Sequence, residues 1–151
     1  MNISKQGIDL IKQFEGCKLT AYKCPAGVLT IGYGHTGRDV HYSDVITQEQ
    51  AEKLLKKDLQ FFEIFVSKCV KVPLNQNQFD ALVSLAFNIG INAFKNSTLL
   101  KLLNQFEYDK ASEQFLRWKY AGGKILLGLA RRRQAEKDLF DYPAAKQLSF
   151  S

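Results

Sequence analysis

The sequence predicts an α+β fold, with strands confined to one small N-terminal region and helices making up nearly everything after it. Three observations carry this. Residues 17–36 are punctuated by Pro25, Gly27, Gly32 and Gly34 around β-prone pieces such as Val28-Leu29-Thr30-Ile31. From residue 47 onward, apolar residues recur at helical spacing. Cap signals stand at the starts and stops of those periodic runs.

The elements follow in order. Ile8, Leu10, Ile11 and Phe14 mark a first helix, with Ser4 as its N-cap and Gly16 just past its end. A hairpin or small sheet occupies 17–36. Thr47-Gln-Glu-Gln50 has the form of a capping box and opens a helix over about 48–70, with Leu54, Leu55, Leu59, Phe62 and Val66 near one face. Pro73 ends that run. Asn75 then caps a strongly apolar helix carrying Phe79, Leu82, Val83, Leu85 and Ala86, closed by Asn88-Ile89-Gly90. Shorter helices are expected around Thr98–Gln105 and Asp109–Tyr120. Gly122-Gly123 breaks the chain before a last helix, Leu129–Phe140.

Composition bounds the function classes. The chain has 151 residues, 46% hydrophobic and 24% charged, with 10 Gly and 3 Pro, which excludes collagen-like, low-complexity and disordered readings. Its length supports one domain with its own core. A formal charge of +6 favours acidic partners: nucleic acid, an anionic membrane surface, or an acidic wall polymer. The N-terminus has no continuous apolar stretch of signal-peptide type, and no run is long enough to span a membrane, so stable membrane insertion is not expected. Cys17, Cys24 and Cys69 are odd in number and lack metal-type spacing, which argues against a disulfide framework.

Glu15 ends the first helix beside Phe14 and Gly16. Apolar neighbours and the negative end of the helix dipole both disfavour its ionised form, as a general acid requires. The same position also suits a solvated glutamate at a helix end. Glu15, eight residues, Cys24, five residues, Thr30 is the spacing that links this acid to the hairpin. The run Gly27-Val28-Leu29-Thr30-Ile31-Gly32-Tyr33-Gly34-His35-Thr36 surrounds it. With Val72-Pro73-Leu74-Asn75-Gln76-Asn77-Gln78-Phe79, Phe87-Asn88-Ile89-Gly90, Phe94-Lys95-Asn96-Ser97-Thr98-Leu99, Arg117-Trp118 and Gly128-Leu129-Ala130-Arg131-Arg132-Arg133, the pattern resembles the phage-type lysozymes, or endolysins (glycoside hydrolase family 24), from about Ile8 to Phe140.

The resemblance implies a lysozyme-like single domain over 1–151, with lobes at approximately 13–60 and at 1–12 with 61–151, and an active-site cleft between them. It implies hydrolysis of the β-1,4 bond between N-acetylmuramic acid and N-acetylglucosamine in bacterial peptidoglycan. Glu15 would be the acid, and Cys24 and Thr30 would position and activate a water, an arrangement suited to inversion. Thr36, Phe87 and Ser97 would line the saccharide cleft. Phe87 also reads as core, and Ser97 as a helix N-cap. No cofactor or metal is implied. The resemblance further implies a monomer of phage or prophage origin that accumulates in the host cytoplasm. It would reach the periplasm and wall once a separate holin-type protein permeabilises the membrane.

Cys24 departs from the commoner aspartate of that pattern. A thiol is mostly neutral near pH 7 unless its surroundings lower its pKa, so its base function depends on neighbours. Two thiols seven positions apart also raise the idea that a Cys17–Cys24 disulfide could block the site. His35 is expected to hold the lobes together through a charge pair, and His35 with His41 lacks a third metal ligand. Arg131-Arg132-Arg133 could clamp phosphate, but Glu136 and Asp138 at helical spacing favour a solvated, ion-paired helix. Lys53, Lys56 and Lys57 read as the wet side of their helix. Aromatic residues do not interleave with basic ones as a base-stacking platform requires, so no nucleic-acid partner is expected. Two rival activities share these residues: a lytic transglycosylase using Glu15 as both acid and base to give an anhydro-sugar, and a non-catalytic wall- or nucleic-acid-binding module.

Overall fold

The computed structural model describes residues 1–143. The chain falls into two compact units, one formed by Ile11–Phe61 and the other by Met1–Leu10 together with the chain from Phe62 onward.

The Ile11–Phe61 unit holds a three-stranded antiparallel sheet in the order β1-β2-β3: β1 is Lys18–Lys23, β2 is Leu29–Gly32 and β3 is His35–Thr36. The second half of helix α1, Lys5–Glu15, leads into it. Ser4 caps that helix, its hydroxyl accepting from Gly7 N at 3.4 Å, and Gly16 closes it in the left-handed region that glycine enters without steric cost. The β1–β2 connection follows from local chemistry. Pro25 occupies the second position of a turn closed by Gly27 N to Cys24 O at 2.8 Å, and Gly27 supplies the positive φ before pairing resumes at Val28. Tyr22 pairs with Thr30, and Thr30 with Thr36. Helix α2, Gln48–Cys69, opens with the expected capping box. Thr47 Oγ1 accepts from Gln50 N at 3.1 Å, while the Gln50 side chain accepts from Thr47 N at 2.8 Å. Leu55 and Leu59 are buried along its length here.

The other unit is built around α3, Gln76–Ile89, and α7, Leu127–Asp141, with the shorter α4 (Ile91–Lys95), α5 (Thr98–Leu103) and α6 (Tyr108–Gln114) beside them. Asn75 caps α3 through a full capping box. Phe79, Leu82, Val83, Leu85 and Ala86 are all buried, as the periodicity predicts. So is Asp80, which accepts from Ser4 N at 3.0 Å and from Gln76 Nε2 at 2.8 Å. Gly7 makes room for it, since a Cβ there would lie 2.7 Å from the Asp80 carboxyl carbon.

Three expectations are corrected. The helix expected over Asp109–Tyr120 stops at Gln114, followed by a 3-10 turn over Phe115–Arg117. Gly122-Gly123 then turns a second hairpin, β4 (Tyr120–Ala121) with β5 (Lys124–Ile125), so strands are not confined to the N-terminal region. Both glycines have positive φ, which suits a two-residue hairpin turn. The five-residue helix α4 is a further element that the periodicity does not predict.

The third correction concerns the arginine run. Arg131 is exposed, but Arg132 and Arg133 are buried, as is Glu136. Arg132 Nε reaches Glu136 at 3.1 Å and Arg133 Nε reaches it at 2.8 Å, while Ser84 Oγ on α3 donates to the same carboxylate at 2.5 Å. The predicted i,i+4 pairing holds for Arg132, but it lies inside the α3–α7 interface rather than in solvent. Desolvation pushes the Glu136 carboxyl up, against the pull of Arg133 and Arg132. Asp138 is instead bonded by Gln134 on the exposed side.

Candidate active site

Glu15, Cys24, Thr30 and Thr36 all belong to the Ile11–Phe61 unit. Glu15 is the last residue of α1 and is half-buried. Gly34, at the turn between β2 and β3, sits directly against it: a Cβ on residue 34 would lie 3.2 Å from Glu15 Oε1. Gly34 also has φ +82°, so both space and backbone favour glycine there. In the sequence, Gly34 reads only as turn punctuation. Its contact with the acid could not be read from spacing.

Cys24 lies one residue beyond β1, at the mouth of the Pro25-Ala26-Gly27 turn, with its backbone N–H donating to Val28 O at 3.0 Å. The half-buried sulfur lies beside the same turn. Hydrogen bonds from Val28 and then Ala26 lower the thiol pKa from its ordinary value; burial opposes them, and the Thr30 hydroxyl adds to the lowering. Lys23, adjacent in the chain, is not among the causes. Peptide dipoles do this instead.

Thr30 is 3% exposed on β2, and its hydroxyl donates to Val28 O at 2.9 Å. Its oxygen lone pairs remain as acceptors, and a hydroxyl has only one proton to share between that carbonyl and the Cys24 sulfur. Thr36 pairs across from Thr30 on β3 and is exposed. Thr30 and Thr36 therefore face the same side of the sheet.

The disulfide idea fails on geometry. Cys17 and Cys24 flank the whole of β1, and six extended residues at about 3.3 Å each span roughly 20 Å, far beyond the Cα separation of about 4.4–6.8 Å that a disulfide bridges. All three cysteines are free thiols.

His35 Nδ1 contacts Asp58 at 2.8 Å, and Nε2 contacts both oxygens of Asp39 at 3.1 Å. Partial burial opposes protonation, but the hydrogen bonds and charges of Asp58 and Asp39 outweigh it and raise the pKa. Both partners lie within residues 11–61, so the expected charge pair closes inside one unit instead of joining two lobes. Asp58 is 23 positions away on α2, and nothing in the sequence singled it out. His41 lies against Asp44 at 3.6 Å.

Phe87 and Ser97 belong to the other unit. Phe87 is half-buried and meets Phe62 edge-on, with ring centroids 5.3 Å apart. Ser97 is the N-cap of α5: its oxygen accepts from Leu100 N at 3.1 Å and its proton goes to Phe94 O at 2.7 Å. Ser97 also lines a cavity of about 540 Å³ with Asn92, Asn96, Gln114, Arg117 and Trp118.

Comparison with known proteins bears on what this geometry does. The family described as phage lysozyme matches residues 12–136. The endolysin of Bacillus phage B103 is 50% identical over 99% of this chain, which spans 57% of that protein's length. The endolysin of Acyrthosiphon pisum secondary endosymbiont phage 1 is 52% identical over 93% of this chain and 99% of its own. Among solved structures, the muramidase domain of SpmX from Asticaccaulis excentricus superposes with a TM-score of 0.89 at 42% identity, covering 94% of this chain and 99% of that one.

Proposed function

This chain belongs to the phage lysozyme family, and from that premise we propose that it is a muramidase whose acid is Glu15 and whose water-activating pair is Cys24 with Thr30. The substrate is peptidoglycan, and the bond cut is the β-1,4 link from N-acetylmuramic acid to N-acetylglucosamine. Glu15 donates its proton to the leaving glycosidic oxygen. Cys24, as thiolate, accepts a proton from a water held by the Thr30 oxygen, and that water attacks the anomeric carbon from the opposite face of the sugar. Water enters from the face opposite the leaving group, so the configuration inverts.

The observation that most supports this reading is the family match over residues 12–136 with Glu15 against Gly34 of the β2–β3 turn and Cys24 at the mouth of the turn before Thr30; backbone groups of that turn lower the thiol pKa. A cysteine in place of a carboxylate can serve as base only if its proton is readily lost. The turn that follows it supplies hydrogen bonds to that end. Thr36 and Phe87 are proposed saccharide contacts. Ser97, with its hydroxyl committed to the α5 cap, contributes by shaping the wall of its cavity. The chain acts as a monomer at the end of a phage or prophage cycle, reaching the wall from the host cytoplasm after a holin-type protein opens the membrane. No helix among the described residues is long and apolar enough to cross a membrane.

The test is turnover on purified peptidoglycan with products read by mass spectrometry. Glu15→Gln is expected to lower kcat by about 10²–10⁴-fold with folding intact. Cys24→Ala should lose turnover by a factor of the same order, and Cys24→Asp should recover most of it. Undiminished hydrolysis by Glu15→Gln, or by Cys24→Ala, removes the corresponding role. Products ending in 1,6-anhydro sugars in place of reducing ends would make the enzyme a transglycosylase.

A further inference from the structure

The β4–β5 hairpin and the start of α7 are not used by the proposed chemistry, yet among the described residues they hold the longest consecutive run of large apolar side chains left in solvent, Ile125-Leu126-Leu127. Every residue from Tyr120 to Gly128 is exposed. Tyr120, Ile125, Leu126 and Leu127 stand at 54, 53, 47 and 70% exposure. Tyr120 and Ile125 are directly paired, so they share one face of the hairpin. Leu126 N donates to Lys119 O at 3.0 Å, which extends the ladder and brings Leu127 to the base of the same projection. Four exposed large apolar side chains within the eight residues 120–127 mark an interaction site.

Charge narrows the partner to an acidic one, and the apolar tips beside it favour a lipid surface. Between Glu113 and Glu136 the chain carries Arg117, Lys119, Lys124, Arg131, Arg132 and Arg133 and not one Asp or Glu. Arg132 and Arg133 are buried against Glu136, which leaves Arg117, Lys119, Lys124 and Arg131 around the hairpin. Leu126, the N-cap of α7, makes no side-chain cap bond, and the helix end there adds the positive pole of its dipole beside the hairpin. Here, against the sequence expectation, basic and aromatic residues do alternate, as Arg117-Trp118-Lys119-Tyr120, and with the aliphatic tips beside them they have the composition of an element that settles into the headgroup region of an anionic bilayer.

We propose that the β4–β5 hairpin, with the first turn of α7, docks this protein on an anionic lipid surface. Tyr120, Ile125, Leu126 and Leu127 enter the interface, and Lys119, Lys124 and Arg131 lie over the phosphates. Docking is reversible, because nothing in this segment approaches the length of a spanning helix. It would keep a basic enzyme at the membrane face next to the wall it degrades.

Trp118, the single tryptophan of the chain, stands at the base of the hairpin and reports on docking directly. With vesicles of phosphatidylglycerol its emission should shift to shorter wavelength and the protein should co-sediment. Vesicles of phosphatidylcholine should produce neither, and added salt should weaken the first. Lys119→Gln and Lys124→Gln should each weaken partitioning about fivefold. Ile125→Ser with Leu127→Ser should abolish the emission shift, while hydrolysis of lipid-free peptidoglycan stays unchanged. Leu127→Ser alone, at the most exposed of the four positions, covers the case in which the double variant does not fold. Equal binding to both lipids, no binding to either, or binding indifferent to these substitutions overturns the proposal. So does a parallel loss of peptidoglycan hydrolysis in folded variants, which assigns the hairpin to the wall polymer. Vesicle binding is read without turnover, so failure of the muramidase reading leaves this result standing, and the reverse holds too.

Discussion

Each of the two units contains an ionic cluster, and the two are built on opposite principles. In the Ile11–Phe61 unit, His35 is held between Asp58 and Asp39, with Asp39 largely in solvent. In the helical unit, Arg132 and Arg133 close on Glu136 with side chains 4%, 0% and 0% exposed. The first cluster can gain or lose a proton at modest cost, so its strength varies with pH. Members of the second cannot change charge without stranding a partner in low dielectric. The contrast separates a surface tie that tunes the small sheet from an interior tie that fixes how α3 meets α7.

Breaking the interior cluster should have the largest effect on stability. Glu136→Ala leaves two guanidinium groups buried without their carboxylate and should cost about 3–5 kcal/mol, measured by urea unfolding. A loss under 1 kcal/mol would mean that water or another group readily replaces the carboxylate.

Next comes a position where site and scaffold overlap. Ser97→Ala removes the α5 cap and should cost about 1 kcal/mol. KM for peptidoglycan should barely change, since the hydroxyl is already committed to Phe94 and Leu100. A large rise in KM without loss of stability would make Ser97 a direct saccharide contact.

The smallest effect, and the one most specific in its pH dependence, belongs to His35. Its folded pKa is raised, so its contribution is complete below about pH 6.5 and fades as pH climbs through the folded value. Asp39 is shifted down, chiefly by its hydrogen bond to His35, so its contribution is complete above about pH 4 and is lost on further acidification. His35→Gln should therefore cost at most about 1 kcal/mol between those limits, and less at pH 8. A cost that grows toward alkaline pH would contradict the assignment.

Legibility in the sequence followed range. The caps at Thr47 and Asn75, the stop at Gly16 and the Pro25–Gly27 turn were readable because each is decided within a few residues. The second hairpin was missed because its strands are two residues long and merge into a helical pattern that Tyr120 extends by one more apolar position. Asp58 and Asp80 were missed because their partners lie far away in sequence, at His35 and at Ser4. For the candidate site, the spacing from Glu15 through Cys24 to Thr30 was legible. Gly34 pressing on Glu15, and the peptide groups that acidify Cys24, were not.

By itself, then, the sequence determined where helices start, where the first hairpin turns, and which residue types recur at catalytic spacing. Backbone conformation and capping are short-range and leave their marks in adjacent residues. Tertiary structure alone decided that two arginines of a basic run are interior, that a histidine has two acidic partners, and that a thiol sits among hydrogen-bond donors. Burial and charge pairing depend on what the fold brings within a few ångströms, and no local pattern records that distance.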